Sequence, residues 1–190
     1  MKSPYLIVLF YLLFAVLGMK IKNYNSMQIK DLKITKCDKK DYPLTVNNVT
    51  VQFGSKPRVK VSGSLSTEVD LIGSIKASVI IKRNVWGLWI EVPCEDNMGS
   101  CTYDNLCDYG YPKNETCPPD FVKNNVPCRC PIKKGNYTIL PTIGLPEQTS
   151  ILSGTYKGSV EITQQGKFLA CYNLYFVLYD ESDLYSVIQV

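Results

Sequence analysis

Phe168-Leu169-Ala170-Cys171-Tyr172-Asn173-Leu174-Tyr175-Phe176-Val177-Leu178-Tyr179 is a run of twelve residues without charge, glycine or proline. Aromatic and branched side chains dominate it, and these fit a pleated, half-buried strand better than a helix. The same texture extends outward from it. Tyr156, Val160 and Ile162 sit in a segment rich in Thr and Ser, and Tyr137 and Ile139 alternate with Thr138 and Leu140. Ala77 to Ile81 runs into Lys82, while Val59 and Val61 alternate with Arg58, Lys60 and Ser62. Val46, Val49 and Val51 fall among Asn and Thr, and Leu32 and Ile34 alternate with Lys33 and Thr35. Short apolar runs of period two, broken by Gly, Pro, Asn and Ser, predict an all-β, mostly antiparallel chain with no well-capped helix.

The first 18 residues differ from the rest. Lys2 precedes an uncharged run from Tyr5 to Val16, and Val16 and Gly18 offer residues tolerated before a cut. This layout predicts a secretory signal peptide over 1–18. The run falls short of the roughly 20 apolar residues that span a bilayer. Residues 19–36 then hold an N-terminal segment and the first strand, 37–180 the main β domain, and 181–190 a C-terminal tail.

Export sets the redox context. Eight cysteines, Cys37, Cys94, Cys101, Cys107, Cys117, Cys128, Cys130 and Cys171, form an even set outside the leader. Four disulfides are the expectation, in one of about 105 pairings. Six of the eight lie between Cys94 and Cys130 among Pro93, Pro112, Pro118, Pro119 and Pro127, which predicts an irregular lobe stapled by local bridges. If that lobe pairs internally, Cys37 and Cys171 must join the first strand to the last. Cys128-x-Cys130 has the wrong spacing for a zinc knuckle, so no metal is expected. Sequons at Asn48, Asn114 and Asn136 are consistent with a glycosylated, exported protein.

Composition narrows the function. Without Lys2, 20 bases face 17 acids, which is no nucleic-acid footprint. The chain has no histidine, so Ser-His-Asp and Cys-His chemistry is out, and paired cysteines leave no thiol nucleophile. No glycine-rich phosphate loop opens a helix. A carboxylate pair drawn from Asp70, Glu91, Glu95 and Asp96 is the remaining enzymatic option, but acids at turns are ordinarily just solvated. No catalytic residue and no cofactor is therefore assigned.

Apolar groups near glycines are more telling. Val85-Trp86-Gly87-Leu88-Trp89 places two tryptophans around a glycine beside Lys82 and Arg83. Asn84 and Gly87 mark Trp86 as a loop tip, whereas Trp89 fits a strand core equally well. Tryptophan beside cations suits a membrane interface. Ile143-Gly144-Leu145-Pro146 and Ile151-Leu152-Ser153-Gly154 form the apolar ends of a second loop.

The cysteine lobe carries a resemblance. Gly87-Leu88-Trp89-Ile90-Glu91-Val92-Pro93-Cys94, Gly99-Ser100-Cys101-Thr102-Tyr103, Cys107-Asp108, Cys117-Pro118, Val126-Pro127-Cys128-Arg129-Cys130-Pro131, Lys134-Gly135-Asn136-Tyr137 and Gly154-Thr155-Tyr156 resemble the sphingolipid-activator branch of the lipid-recognition domain family. The likeness runs from about Cys37 to Tyr179. It implies a cup-like antiparallel β-sandwich around an apolar lipid cavity, with a disulfide-rich irregular lobe. It implies the pairs Cys37–Cys171, Cys94–Cys101, Cys107–Cys130 and Cys117–Cys128. It also implies that Val85, Trp86, Leu88, Trp89, Leu145, Ile151, Leu152 and Tyr156 contact lipid or membrane at the rim. The branch usually has a small residue in place of Trp86 and a tryptophan in place of Ile151.

The function so implied is non-enzymatic. The protein would extract a ganglioside-like glycolipid from a membrane and present it to a lysosomal glycosidase, a hexosaminidase in the branch. Expected partners are a glycolipid or phospholipid, transiently a membrane surface, and no nucleic acid. The expected place is outside the cell or in the lysosomal lumen. The rival reading is an extracellular carrier or sensor of phospholipid, sterol or microbial lipid.

Overall fold

A computed structural model describes residues 27–53, 58–139, 142–144 and 153–180. The leader and the tail lie outside these. Ten strands follow in order: β1 (Met27–Lys36), β2 (Leu44–Phe53), β3 (Arg58–Thr67), β4 (Ile75–Val85), β5 (Leu88–Glu91), β6 (Thr102–Tyr103), β7 (Gly135–Ile139), β8 (Thr142–Gly144), β9 (Gly154–Gln164) and β10 (Lys167–Asp180). The long run quoted first is β10.

The strands form two antiparallel sheets. One runs β1-β10-β9-β4-β5, with β6 also on β4; the other is β2-β3-β7, with β8 also on β3. Alternation places Ile75, Ala77, Val79 and Ile81 of β4 on the buried face, beside Val160 and Ile162 of β9 and Tyr172, Leu174, Phe176 and Leu178 of β10. Leu44, Val51, Val61 and Leu65 supply the second sheet's share of the same core. Two bulges keep the pattern in phase. In β1 the register shifts between Lys30 and Lys33, with Asp31 at φ 55, so Ile29 and Ile34 both meet inward residues of β10. In β2 the shift falls between Asn47 and Thr50, with Asn48 at φ 53. An extra residue resets which side chains face inward, so both Val46 and Val49 pack on the core.

One end of the sandwich is tied across the sheets. The Tyr172 hydroxyl of β10 accepts from Val46 N–H (3.1 Å) and donates to the Leu44 carbonyl (3.2 Å) of β2. Cys171 is bridged to Cys37 beside it, and Tyr42 packs edge-on against Tyr172 and Phe168. Gln164 donates to the Asp70 carbonyl and accepts from Ile72 N–H, linking the β9–β10 turn to the β3–β4 connection.

The irregular lobe flanks β4. It holds Cys94–Cys101, Cys107–Cys130 and Cys117–Cys128, the pairs the resemblance implied. It also holds a 3-10 turn (Leu106–Tyr109) and a short helix α1 (Pro119–Lys123), neither expected from the sequence. The turn is capped by Asn105, whose side chain accepts from Cys107 N–H, and α1 begins on Pro119 behind Pro118. Such short pieces carry too few residues to show helical periodicity. Leu106 and Phe121 anchor the lobe in the core.

Candidate functional site

The β4–β5 hairpin extends the inner face beyond the buried core. Val85 pairs with Leu88, leaving Trp86 and Gly87 as a two-residue turn with φ 51 and 89. Positive φ at both positions is what a type I′ hairpin requires. The Asn84 side chain closes the turn by accepting from Gly87 N–H (3.0 Å). Trp86 is 99% exposed at the tip.

Strand alternation sorts the neighbours. Arg83 and Val85 continue the face of Ile81, opposite Ile90 and Leu88 on β5. Leu88 is 70% exposed and Ile90 52%, so an apolar strip of the inner face stands open at this end. Trp89 pairs with Asn84 and lies on the outer face instead, where the Lys157 ammonium sits 4.2 Å from its ring centroid. The two tryptophans thus have different surroundings: Trp86 is free at the tip, and Trp89 is half-buried under a cation.

Tyr156 lies deeper. It is 1% exposed and stacks on Phe176, with centroids 5.2 Å apart and rings 6° from parallel. Burial pushes its hydroxyl up to about 12, with the Arg83 charge pulling the other way. Any lipid contact of Tyr156 is therefore made from inside the sandwich and not at the rim. Leu145, Ile151 and Leu152 lie outside the described residues. The sequence did not mark Arg83 and Ile90 as members of the inner face; alternation along β4 was the available signal for Arg83, and the two-residue turn then sets Ile90 of β5 opposite it.

The candidate acids show ordinary roles. Asp70 accepts from Lys134 N–H (2.8 Å) and pairs with Lys133 (3.0 Å), and these bonds hold its carboxyl below the usual range. Glu91 lies across from Lys82 on an exposed edge strand. Asn48, Asn114 and Asn136 are all exposed. Among the described residues no helix is long and apolar enough to cross a membrane, and no three metal-binding side chains gather.

The ML domain profile matches residues 31–177. Ganglioside GM2 activator of Macaca fascicularis is 30% identical over 183 residues, covering 90% of this chain and 93% of that protein. Its Mus musculus counterpart is 31% identical over 147 residues, covering 71% and 75%. Among solved structures, chicken MD-1 complexed with lipid IVa aligns at TM-score 0.35 and 14% identity, covering 86% of this chain and 96% of that one. A Niemann-Pick type C2 protein from Japanese carpenter ant aligns at TM-score 0.30 and 13% identity, covering 83% and 96%.

Proposed function

The chain belongs to the ML domain family, and from that premise we propose that it is a non-enzymatic lipid carrier. It lifts a ganglioside-like glycolipid from a membrane, holds the acyl chains between its two sheets, and presents the head group to a lysosomal glycosidase of the hexosaminidase type. The likeness to ganglioside GM2 activators over most of the chain supports the ligand class. The leader-like sequence of residues 1–18, the four disulfides and the sequons support a luminal or extracellular setting.

One observation carries the reading: the inner apolar face does not end where the core ends. It continues through Val85, Leu88 and Ile90 to a fully exposed tryptophan. A soluble domain gains nothing by keeping such a strip in water, whereas a bilayer receives it as a docking edge.

The energetics favour a carrier that touches the membrane. A two-chain lipid has about 30 methylenes, each contributing about 0.8 kcal/mol on leaving water. Free escape would cost about 24 kcal/mol, while passage from bilayer to a dry interior is close to neutral. The protein's task is thus to abolish the aqueous intermediate. Trp86 at headgroup depth and the strip behind it give the chains a continuous apolar path.

Vesicle-to-vesicle transfer of a fluorescent glycolipid tests the reading. The native protein is expected to accelerate transfer and to form one-to-one lipid adducts in native mass spectrometry. Trp86→Ala is expected to slow transfer at unchanged thermal stability, as is the double change Ile151→Ser with Leu152→Ser. Absence of any adduct with the disulfides intact overturns the carrier reading. Unchanged transfer in both variants overturns the docking edge. Hexosaminidase turnover of vesicle-borne ganglioside, with and without the protein, tests presentation.

A further inference from the structure

We propose that Arg83 recognises an acidic group on the lipid head, so that the protein selects lipids bearing a sulfate, carboxylate or phosphate over neutral lipids with the same chains. The proposal rests on the carrier reading and names the ligand class for that site.

Arg83 stands at the threshold of the interior. A single cross-strand row runs Ile90, Arg83, Tyr156, Phe176. Exposure along it falls from 52% at Ile90 through a half-buried Arg83 to 1% at Tyr156 and 2% at Phe176. A head group whose chains lay between the sheets would come to rest at this position in the row, beside Val85 and Leu88. The lysines of this hairpin region, Lys82 and Lys157, are on the opposite face of the sheet and do not share the place.

The guanidinium is also underused. Its Nη2 donates to the Ser153 carbonyl at 2.7 Å. Its Nε is buried with no acceptor, the sole side-chain atom of that kind among the described residues. Among those residues no carboxylate forms an ion pair with it. Arg129 makes the contrast. It donates Nη1 to the Lys113 carbonyl, Nη2 to the Glu115 carbonyl, and Nε to the Cys128 sulfur. Each nitrogen of the Arg129 guanidinium thus finds an acceptor, whereas the buried Nε of Arg83 does not. Buried donors are almost always satisfied, so an unsatisfied one calls for a partner, and an anionic head group is one that could supply it.

The backbone makes room for the group. A Cβ at Gly154 would lie 2.9 Å from Arg83 Nε, so the guanidinium rests on bare main chain. A planar fork with free N–H groups matches the oxygens of a carboxylate, sulfate or phosphate, and an apolar surround strengthens the attraction by lowering the local dielectric.

The test compares sulfated galactosylceramide with galactosylceramide of identical acyl chains, each in phosphatidylcholine vesicles, for the full mature chain and Arg83→Gln. Affinities come from extraction equilibria. The native protein is expected to prefer the sulfated lipid by about tenfold, the worth of one charge-assisted hydrogen bond. In Arg83→Gln the ratio of the two affinities is expected to fall to about one. Arg83→Met, which keeps the apolar stem over Gly154, is expected to lose the preference in the same way and guards against a folding defect in the first variant. Inorganic sulfate alone is expected not to raise the melting temperature. A preference that survives both substitutions overturns the proposal, as does a native protein that binds both lipids equally. Stabilisation by inorganic sulfate without preference for the sulfated lipid reassigns Arg83 to a free anion and overturns it too. Uptake of neither lipid overturns the carrier reading, and this inference with it.

Discussion

Trp86 occupies a backbone conformation that suits other residues better. At φ 51 a bulky L-residue sits in the left-handed region at a cost of about 1 kcal/mol, and type I′ turns favour Asn-Gly there. Trp86→Asn is therefore expected to raise stability by about 0.5–1 kcal/mol in urea unfolding while slowing glycolipid transfer. Opposite signs in the two assays mark a side chain kept for the membrane and not for the fold. Tyr156 makes a second residue-scale prediction. Its hydroxyl is raised from 10.0 to about 12, so between those values the unfolded chain releases this proton while the folded chain retains it. The folded state then binds more protons, and stability falls as pH rises through that window, by about 1.4 kcal/mol per unit at most. The contribution is intact below pH 10. Urea midpoints measured from pH 9.5 upward are expected to fall less steeply in Tyr156→Phe, which has no proton to hold.

At the scale of elements, the tie between the sheets is the informative feature. The Tyr172 hydroxyl serves Val46 N–H and the Leu44 carbonyl together. Tyr172→Phe strands both main-chain groups, and a loss of about 1–3 kcal/mol is expected in chemical denaturation. Strand β4 was legible from Ala77 to Lys82, although the exposed Ile80 interrupts the alternation, and Asn84 with Gly87 marked the turn. The bulges at Asp31 and Asn48 were not legible, since an extra residue leaves no compositional trace until the partner strand is known. Nor was the switch of β2 to the other sheet, which depends on contacts remote in sequence. The candidate site divides in the same way. The exposed Trp86 followed from local turn chemistry, but the unsatisfied Arg83 depends on where Ser153 falls, about 70 residues away.

For the whole molecule, the Cys37–Cys171 bridge spans a sequence separation of 134 residues. Chain-entropy reasoning gives such a closure about 4–5 kcal/mol, acting mainly on the unfolded state. Cys37→Ser with Cys171→Ser is expected to lower the melting temperature strongly, measured by calorimetry, while the three lobe bridges remain. No residue-level reading chooses among the pairings, because spacing alone leaves them equivalent; the family likeness supplied the choice. The bridge, the Tyr172 tie and the Gln164 bonds all sit together at one end of the sandwich. That grouping likens the molecule to a clothes peg, with its spring at the tied end and its jaws at the Trp86 end. On the carrier reading proposed above, cargo of different girth would be met by the angle between the jaws. Each sheet would keep its own ladder, so one peg could grip thin and thick chains without rebuilding either arm.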